Sequence, residues 1–140
     1  MDEGYCRREI VPAMIELGAH ALPVENSVHD GTPDINWAFE GREGWVELKY
    51  LDRFPVRKGI VRIEHYTQQQ RLFAACRMQS GGNWALILIV GKGAERECVA
   101  FTGAKGLLVG TKDAAWLHKN MDWGGSMSWD MIAKHVVYCM

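Results

Sequence analysis

The sequence lacks a long apolar segment, a cysteine framework and an excess of either charge. Its longest uninterrupted apolar run covers residues 84–90, far too short to span a bilayer, and no basic start followed by an apolar block marks a signal peptide. The four cysteines include no C-x-x-C pair, so neither a zinc ribbon nor a disulfide framework is indicated. With a formal net charge of -1, any binding to nucleic acid must come from local patches.

Length and composition are typical of a small soluble domain with its own core. At 140 residues, 48% of them hydrophobic, the chain is expected to form a single domain over residues 1–140. We also expect a soluble, intracellular protein that does not bind membranes. In that compartment the cysteines are expected to be reduced and mostly buried: Cys6, Cys76, Cys98 and Cys139.

The apolar pattern predicts an α/β fold with a mixed central sheet flanked by helices. Periodic apolar residues followed by Gly18 predict a first helix over residues 7–17, in which Pro12 must lie in the first turn or cause a kink. Thr67 is the predicted N-cap of a second helix. The other predicted elements are helices over residues 67–79 and 128–138, strands over residues 21–28, 34–39, 45–51, 84–90 and 97–102, and a loop-rich segment over residues 103–127.

Charged residues interrupt two of these strands. Alternation places Asp34 on the polar face of its strand and places Glu47 and Lys49 together on one face of the next strand. If residues 41–44 form the connecting turn, straight pairing sets Asp34 closer to the end of the second strand than to Glu47. The two carboxylates then converge only through a bend or bulge near Pro33, which cannot donate a ladder hydrogen bond.

Two carboxylates among apolar strand residues predict a divalent metal site. Mg²⁺ prefers oxygen ligands, keeps several waters and takes one or two protein carboxylates. Asp34 and Glu47 meet that demand, and the backbone carbonyl of Leu48 could add a third oxygen. Lys49 could orient a water molecule or stabilise developing charge. We therefore expect Mg²⁺ as the cofactor, with Mn²⁺ able to substitute, and phosphodiester hydrolysis as the reaction.

The same residues resemble a known family. The G-x-P-D pattern of residues 31–34, the W-V-E-L-K pattern of residues 45–49 and Gln70 on the following helix resemble the PD-(D/E)xK nuclease superfamily. More narrowly, they resemble the stand-alone VRR-NUC proteins of phages and prophages, relatives of the Holliday junction resolvases. The resemblance covers residues 25–90. It implies a restriction-endonuclease-like core in which Asp34 and Glu47 ligate the metal, Lys49 assists catalysis and Gln70 lies near the site.

The resemblance also implies an activity. It suggests a Mg²⁺-dependent, structure-specific DNA endonuclease that resolves branched DNA such as Holliday junctions, forms a homodimer and works in the cytoplasm of a phage's bacterial host. One alternative is a replication or packaging nuclease that acts on flaps, nicks or duplex ends. Another is a catalytically silent module with the same fold that binds DNA or a partner. Three tryptophans in the C-terminal part are candidates for the dimer contact: Trp116, Trp123 and Trp129.

The remaining site residues have more than one interpretation. In the family an acidic residue from the first helix usually completes the site, and Glu9 is the first choice here, Glu16 the second and Glu25 the third. Gln70 is either a site residue or part of a polar helix start. Four basic residues in the loop after Lys49 either grip DNA phosphates or are simply solvated: Arg53, Arg57, Lys58 and Arg62.

Overall fold

One mixed β-sheet of six strands runs through the residues that the computed structural model describes, 2–25 and 28–140. Its strands are β1 (His20–Pro23), β2 (Ile35–Phe39), β3 (Arg42–Leu51), β4 (Asn83–Val90), β5 (Glu97–Phe101) and β6 (Trp123–Gly125). The strands lie side by side in chain order. β3 and β4 pair in parallel, and each other neighbouring pair is antiparallel. The parallel pair requires a crossover, which the second helix supplies.

Helices cover both faces of the sheet. α1 (Glu3–Glu16) and α4 (Trp129–Cys139) pack on one face, whereas α2 (Gln68–Gln79) and α3 (Ala114–Asn120) pack on the other. Among the described helices, none is both long and apolar enough to cross a membrane. The arrangement confirms the predicted α/β class with a mixed central sheet between helices.

β4 is buried on both faces. Ile87 and Ile89 pack toward α1 and α4, and Leu86 and Leu88 pack toward α2 and α3. All four side chains are fully buried. A continuously apolar sequence is what a strand with two covered faces requires. The predicted central strand is therefore confirmed, and so is its neighbour β5.

A tight hairpin joins β2 to β3 and sets the register of the candidate site. Its turn consists of Glu40 and Gly41, whose φ angles of 47° and 80° are the positive values that a type I′ turn requires. Glycine takes such a φ at little cost, which suits it to the second position. With this turn, Ile35 at the start of β2 pairs with Val46 of β3.

The short turn corrects the pairing expected from the sequence. A turn over residues 41–44 is wrong, because β3 already begins at Arg42. The chain does bend next to Pro33, at Asp34. When the observed register is continued by one residue, Asp34 falls directly opposite Glu47. The hairpin itself therefore brings the two carboxylates together, without a bulge.

Three other predictions of secondary structure also need correction. α1 begins at Glu3, earlier than expected, so Pro12 lies inside the helix rather than in its first turn. β1 ends at Pro23 and is shorter than the strand predicted over residues 21–28, of which residues 26 and 27 lie outside the described residues. The segment predicted to be mostly loop contains α3 and β6. Neither element has a long periodic apolar pattern, because one is short and the other is rich in glycine.

The cysteines are divided between core and surface. All four are free, Cys6 and Cys98 are buried, and Cys76 and Cys139 are exposed. Burial raises the pKa of the Cys6 and Cys98 thiols to about 12, so both behave as small apolar side chains. The expectation that the cysteines are mostly buried therefore holds for only half of them.

Candidate active site

β3 extends beyond β2, and the candidate site lies on the part that β2 leaves unpaired. β2 pairs with β3 only as far as Val46, whereas β4 pairs with it as far as Leu51. Residues 47–49 therefore have a β-strand partner on one side. On the other side lie Asp34, which precedes β2, and the first turn of α1, which contributes Glu3.

Asp34 takes the place of the next ladder partner of β3. Its Oδ2 accepts a hydrogen bond of 2.8 Å from the backbone N–H of Leu48. Its backbone carbonyl accepts a second bond of 2.8 Å from the N–H of Val24, which follows β1. These two hydrogen bonds fix both the backbone and the side chain of Asp34. The other oxygen of the half-buried carboxylate, Oδ1, therefore has a fixed direction.

Glu47 is a buried carboxyl group with an unused oxygen. The residue is 2% exposed, and its Oε2 has no hydrogen-bond partner among the residues that the structure describes. Burial and, second, the charge of Asp34 raise the pKa of Glu47 to about 9, although Lys49 acts in the opposite direction. At neutral pH a cation that binds here must therefore displace a proton from Glu47.

Lys49 is as deeply buried as Glu47 and lies between acidic groups. It is 1% exposed, and its Nζ lies 3.4 Å from Oε1 of Glu47 and 3.9 Å from Oε1 of Glu3. The same Nζ donates a hydrogen bond of 2.9 Å to the carbonyl of His65. The Tyr66 ring centroid lies 5.6 Å away. The predicted placement of Glu47 and Lys49 on one face is confirmed.

The backbone of His65 is held in the left-handed region. Its φ is 63°, a value that costs a non-glycine residue on the order of 1 kcal/mol or more. This conformation lies near the end of the loop after β3, where the carbonyl of His65 accepts the hydrogen bond from Lys49. The next residue, Tyr66, is 6% exposed and donates its hydroxyl to the carbonyl of Gly106 at 2.9 Å. Tyr66 is therefore a packing residue, whereas His65 contributes its carbonyl to the site.

Glu3 is the acidic residue that α1 brings to the site. Its carboxylate lies beside Lys49. Burial raises the pKa of Glu3 and so does the charge of Asp34, while Lys49 lowers it. Glu9 lies six residues further along α1, about 9 Å along the helix axis and on a different side of the helix. Glu3 is therefore the residue of α1 that lies beside Lys49, and completion of the site by Glu9 stays a prediction.

The other two acidic candidates have exposed side chains. Glu16 is the exposed last residue of α1. The Glu25 side chain is 85% exposed and lies 3.4 Å from Arg7. A sequence signal for Glu3 does exist, because Asp2 is an N-cap whose side chain accepts from the N–H of Tyr5, and an acidic residue is favoured in the first turn that follows such a cap.

Gln70 lies in the first turn of α2, where it completes a capping box. Its N–H donates to Oγ1 of Thr67 at 3.2 Å, and its Oε1 accepts from the N–H of Thr67 at 2.9 Å. The predicted N-cap is confirmed. The same turn lies against the loop that leads to Asp34, since a Cβ on Gly31 would clash with the backbone of Gln69. The structure gives Gln70 a capping role, and a catalytic role stays a prediction.

The donor set fits one divalent cation. Within the described ranges, no group of three or more His, Cys, Asp or Glu side chains is arranged to hold a metal. Mg²⁺ does not require such a group, because one or two carboxylates suffice beside water and phosphate. Asp34 and Glu47 supply two carboxylates, one with the unused oxygen described above. The carbonyl of Leu48 points to the same side of β3 as its N–H, toward Asp34.

The loop between β3 and α2 holds basic residues next to this acidic cluster. It starts after Leu51 and returns to the carbonyl that Lys49 binds. The four predicted DNA-contacting residues are all exposed, and none forms a salt bridge with a residue that the structure describes: Arg53, Arg57, Lys58 and Arg62. Their charges are available to a partner, and contact with DNA stays a prediction.

The three C-terminal tryptophans pack within their own chain. Trp116 stacks on Phe101 with ring centroids 6.0 Å apart, and Trp123 stacks on His135 at 4.8 Å. Trp129 packs against the core beneath α1 and α4. All three are half-buried. They anchor β5, β6 and α4, and a dimer contact through their remaining surface stays a prediction.

Comparisons with known proteins give a structural likeness at low sequence identity. No family model matches the chain, and no curated protein matches it either. Among solved structures, the chain is similar to Hjc, a Holliday junction resolvase from the archaeal hyperthermophile Archaeoglobus fulgidus, with 14% identity and a TM-score of 0.49. The match covers 71% of this chain and 75% of the archaeal one. At this level of similarity the chemistry of the site has to be inferred from its own geometry.

Proposed function

We propose that this protein is a metal-dependent DNA endonuclease that hydrolyses phosphodiester bonds in branched DNA, with Mg²⁺ as its cofactor. The observation that supports it best is Glu47, a carboxyl group 2% exposed with an unused oxygen beside a second carboxylate and a buried lysine. Burying these groups costs folding free energy, and a bound cation would offset that cost. Strongly perturbed carboxyl groups of this kind are typical of functional sites.

Each residue of the site has a part in the proposed reaction. A divalent cation held by Asp34 and Glu47 would activate a water molecule and neutralise charge on the phosphate. The N–H of Leu48 fixes the Asp34 carboxylate. Lys49, held by the carbonyl of His65, places a positive charge where the pentacovalent phosphate would gain negative charge. Glu3 beside it limits where that ammonium group can move.

The basic loop and a two-fold dimer complete the proposal. The exposed cations of the loop would contact backbone phosphates, which position a substrate without reading its sequence. A four-way junction presents two equivalent strands, and a homodimer with two-fold symmetry would match them. The sequence resemblance to the VRR-NUC proteins favours a branched substrate and a phage-type source, with the bacterial cytoplasm as the place of action.

The metal requirement can be tested with the purified protein. We expect no cleavage in EDTA, cleavage with Mg²⁺ or Mn²⁺, and DNA binding with little cleavage in Ca²⁺, because Ca²⁺ accepts a looser coordination geometry. Robust cutting in EDTA would remove the metal from the proposal. DNA binding without cutting in any of the three metals would favour the silent module.

The substrate can be identified in the same assay. Labelled junction, flap, nicked, fully paired and single-stranded DNAs of equal length should be compared at one salt concentration. We expect junctions to be cut fastest, at paired positions on opposite strands. Faster cutting of flaps, nicks or duplex ends would instead indicate the replication or packaging nuclease.

A further inference from the structure

An apolar cleft opens beside the candidate active site, at the end of β3. Its volume is about 370 Å³, and Leu51, two residues after Lys49, forms part of its wall. The other lining side chains all come from the loop that follows β3. One wall is formed by residues 53–56 and the other by residues 60–62. Most of these side chains are apolar, and an arginine lies at each end of the segment: Arg53, Phe54, Pro55, Val56, Ile60, Val61 and Arg62.

Both walls are attached to the body of the protein. The ring of Phe54 meets the ring of His118 edge-on, with centroids 5.1 Å apart. On the opposite wall Ile60 forms a β-bridge with Asp113. Val61 is 1% exposed, and its N–H donates to the carbonyl of Lys112 at 2.9 Å. The cleft is therefore part of the fold and does not depend on a loose arrangement of the loop.

The outer parts of both walls expose apolar side chains to solvent. Val56 is 93% exposed, and Ile60 is 49% exposed. A single exposed apolar residue is ordinary, but two that line one cleft together with two unpaired arginines are not. Neither Arg53 nor Arg62 forms a salt bridge with any residue in the described part of the chain. A nucleotide has the complementary chemistry, with an apolar base face and a phosphate on each side.

We infer that this cleft receives one unpaired nucleobase of the DNA substrate, while Arg53 and Arg62 contact the phosphates on either side of it. The inference rests on the proposed endonuclease function and adds a feature of the substrate to it. A base in an intact duplex must be unstacked and unpaired before it can enter, which costs free energy, whereas a base at a branch point has already lost part of its stacking. The cleft would thus favour branched or interrupted DNA over a continuous duplex.

The test measures binding in EDTA, so that no strand is cut. Two DNAs with the same number of base pairs are compared, a fully paired duplex and the same duplex with one additional unpaired 2-aminopurine. We expect wild-type protein to bind the second about tenfold more tightly, because its unpaired base can bury apolar surface against the walls of the cleft. Binding should also change the 2-aminopurine fluorescence, because the base leaves its stacked environment.

Variants of the exposed wall residues separate the cleft from the rest of the surface. Val56→Ser and Ile60→Ser should each remove most of the preference for the unpaired base without changing the affinity for the paired duplex. Val56→Leu should keep the preference, since it preserves an apolar wall. Leu22→Ser is a matched control, because Leu22 is 48% exposed on the edge strand β1. Thermal melts verify that each variant is folded.

The outcomes distinguish the cleft from the nuclease activity. Equal affinity of wild-type protein for the two DNAs, with junction cutting intact, would overturn the cleft and leave the endonuclease standing. A Val56→Ser variant that loses both affinities equally would also overturn it, because Val56 would then act without regard to the unpaired base. A protein that neither binds nor cuts any DNA would overturn the proposed function itself.

Discussion

β3 and the loop that follows it carry their ionisable side chains in opposite environments. Glu47 and Lys49 are 2% and 1% exposed, and they interact with each other and with a second carboxylate. A few residues later, Arg57 and Lys58 are exposed and have no ion-pair partner among the described residues. Charges interact strongly where water is excluded, whereas salt screens those that are exposed.

The difference predicts how the two regions respond to change. Burying an ionisable group costs folding free energy. Removing such a group can therefore increase stability while it destroys activity. An exposed charge costs almost nothing, so its removal should leave stability unchanged and weaken binding by a small, additive amount. Substitutions in the two regions can therefore test whether β3 carries the chemistry and the loop carries only the binding.

The largest effect is expected for Asp34→Asn and Glu47→Gln. Each should reduce the cleavage rate at least about a thousandfold, because each removes a metal ligand on which transition-state stabilisation depends. Each should also abolish the rise in melting temperature that Mn²⁺ gives the wild-type protein. Without metal, both variants should be as stable as wild type or more so. Glu43→Gln, an exposed position on the same strand, is the control and should change nothing.

A single result would contradict the ligand assignment. If Mn²⁺ still stabilised both Asp34→Asn and Glu47→Gln, or if either variant still cut DNA, the two carboxylates would not hold the metal. The hairpin that places them opposite each other would then be an ordinary structural element.

The next effect in size is expected for Lys49→Met, which removes the charge and keeps most of the side-chain volume. The variant should retain stabilisation by Mn²⁺ and lose about a hundredfold in the single-turnover rate, since the proposed part of Lys49 is in the transition state. Affinity for DNA should be almost unchanged. A loss of metal stabilisation would place Lys49 among the groups that organise the metal site.

A smaller effect separates two glutamates of one helix. Glu3→Gln should lower the cleavage rate about tenfold, as expected for a group that positions another site residue, because Glu3 lies 3.9 Å from the Lys49 ammonium group. Glu9→Gln should leave the rate unchanged. The pH profile of cleavage provides a second measurement and should shift only in the Glu3→Gln variant. The opposite result would identify Glu9 as the acidic partner.

Most of the fold follows from patterns that the sequence makes visible. β4 is continuously apolar because it is covered on both faces, and α2 begins at a capping threonine. The hairpin was harder to predict, because the glycines at positions 41 and 44 are both turn signals and the true turn uses Glu40 and Gly41. A difference of two residues in turn length moves every cross-strand partner.

The residues of the candidate site also differ in whether the local sequence marks them. Asp34, Glu47 and Lys49 could be predicted because charges among apolar strand residues stand out locally. The N-cap at Asp2 marks Glu3 only as an acidic residue of the first helical turn, and nothing local marks the His65 carbonyl. Both reach Lys49 through tertiary contacts between segments far apart in the chain. A backbone carbonyl has no sequence signature at all.

The buried carboxyl group of Glu47 should also make the stability of the protein depend on pH. Its pKa is raised from 4.5 to about 9, so between these values the metal-free folded protein binds a proton that the unfolded chain has released. The free energy of unfolding should therefore fall as pH rises from about 5 to about 9. Urea melts in EDTA measure this, and Glu47→Gln should show a flatter dependence. A wild-type protein whose stability rises over this window would contradict the buried, protonated state of Glu47.

The smallest effect tests the exposed side of the comparison. Replacing Arg57 and Lys58 together with alanine should weaken binding to every DNA by a similar factor, and the slope of log affinity against log salt should fall by about 1 for each phosphate that is no longer neutralised. The cleavage rate at saturating protein should be unchanged, because neither side chain lies in the acidic cluster. Lys134→Ala, an exposed position on α4, is the control for a general loss of positive charge. If the slope stays constant while affinity falls, the two residues bind something other than phosphate. If neither changes, their charges are only solvated, and DNA is held elsewhere on the surface.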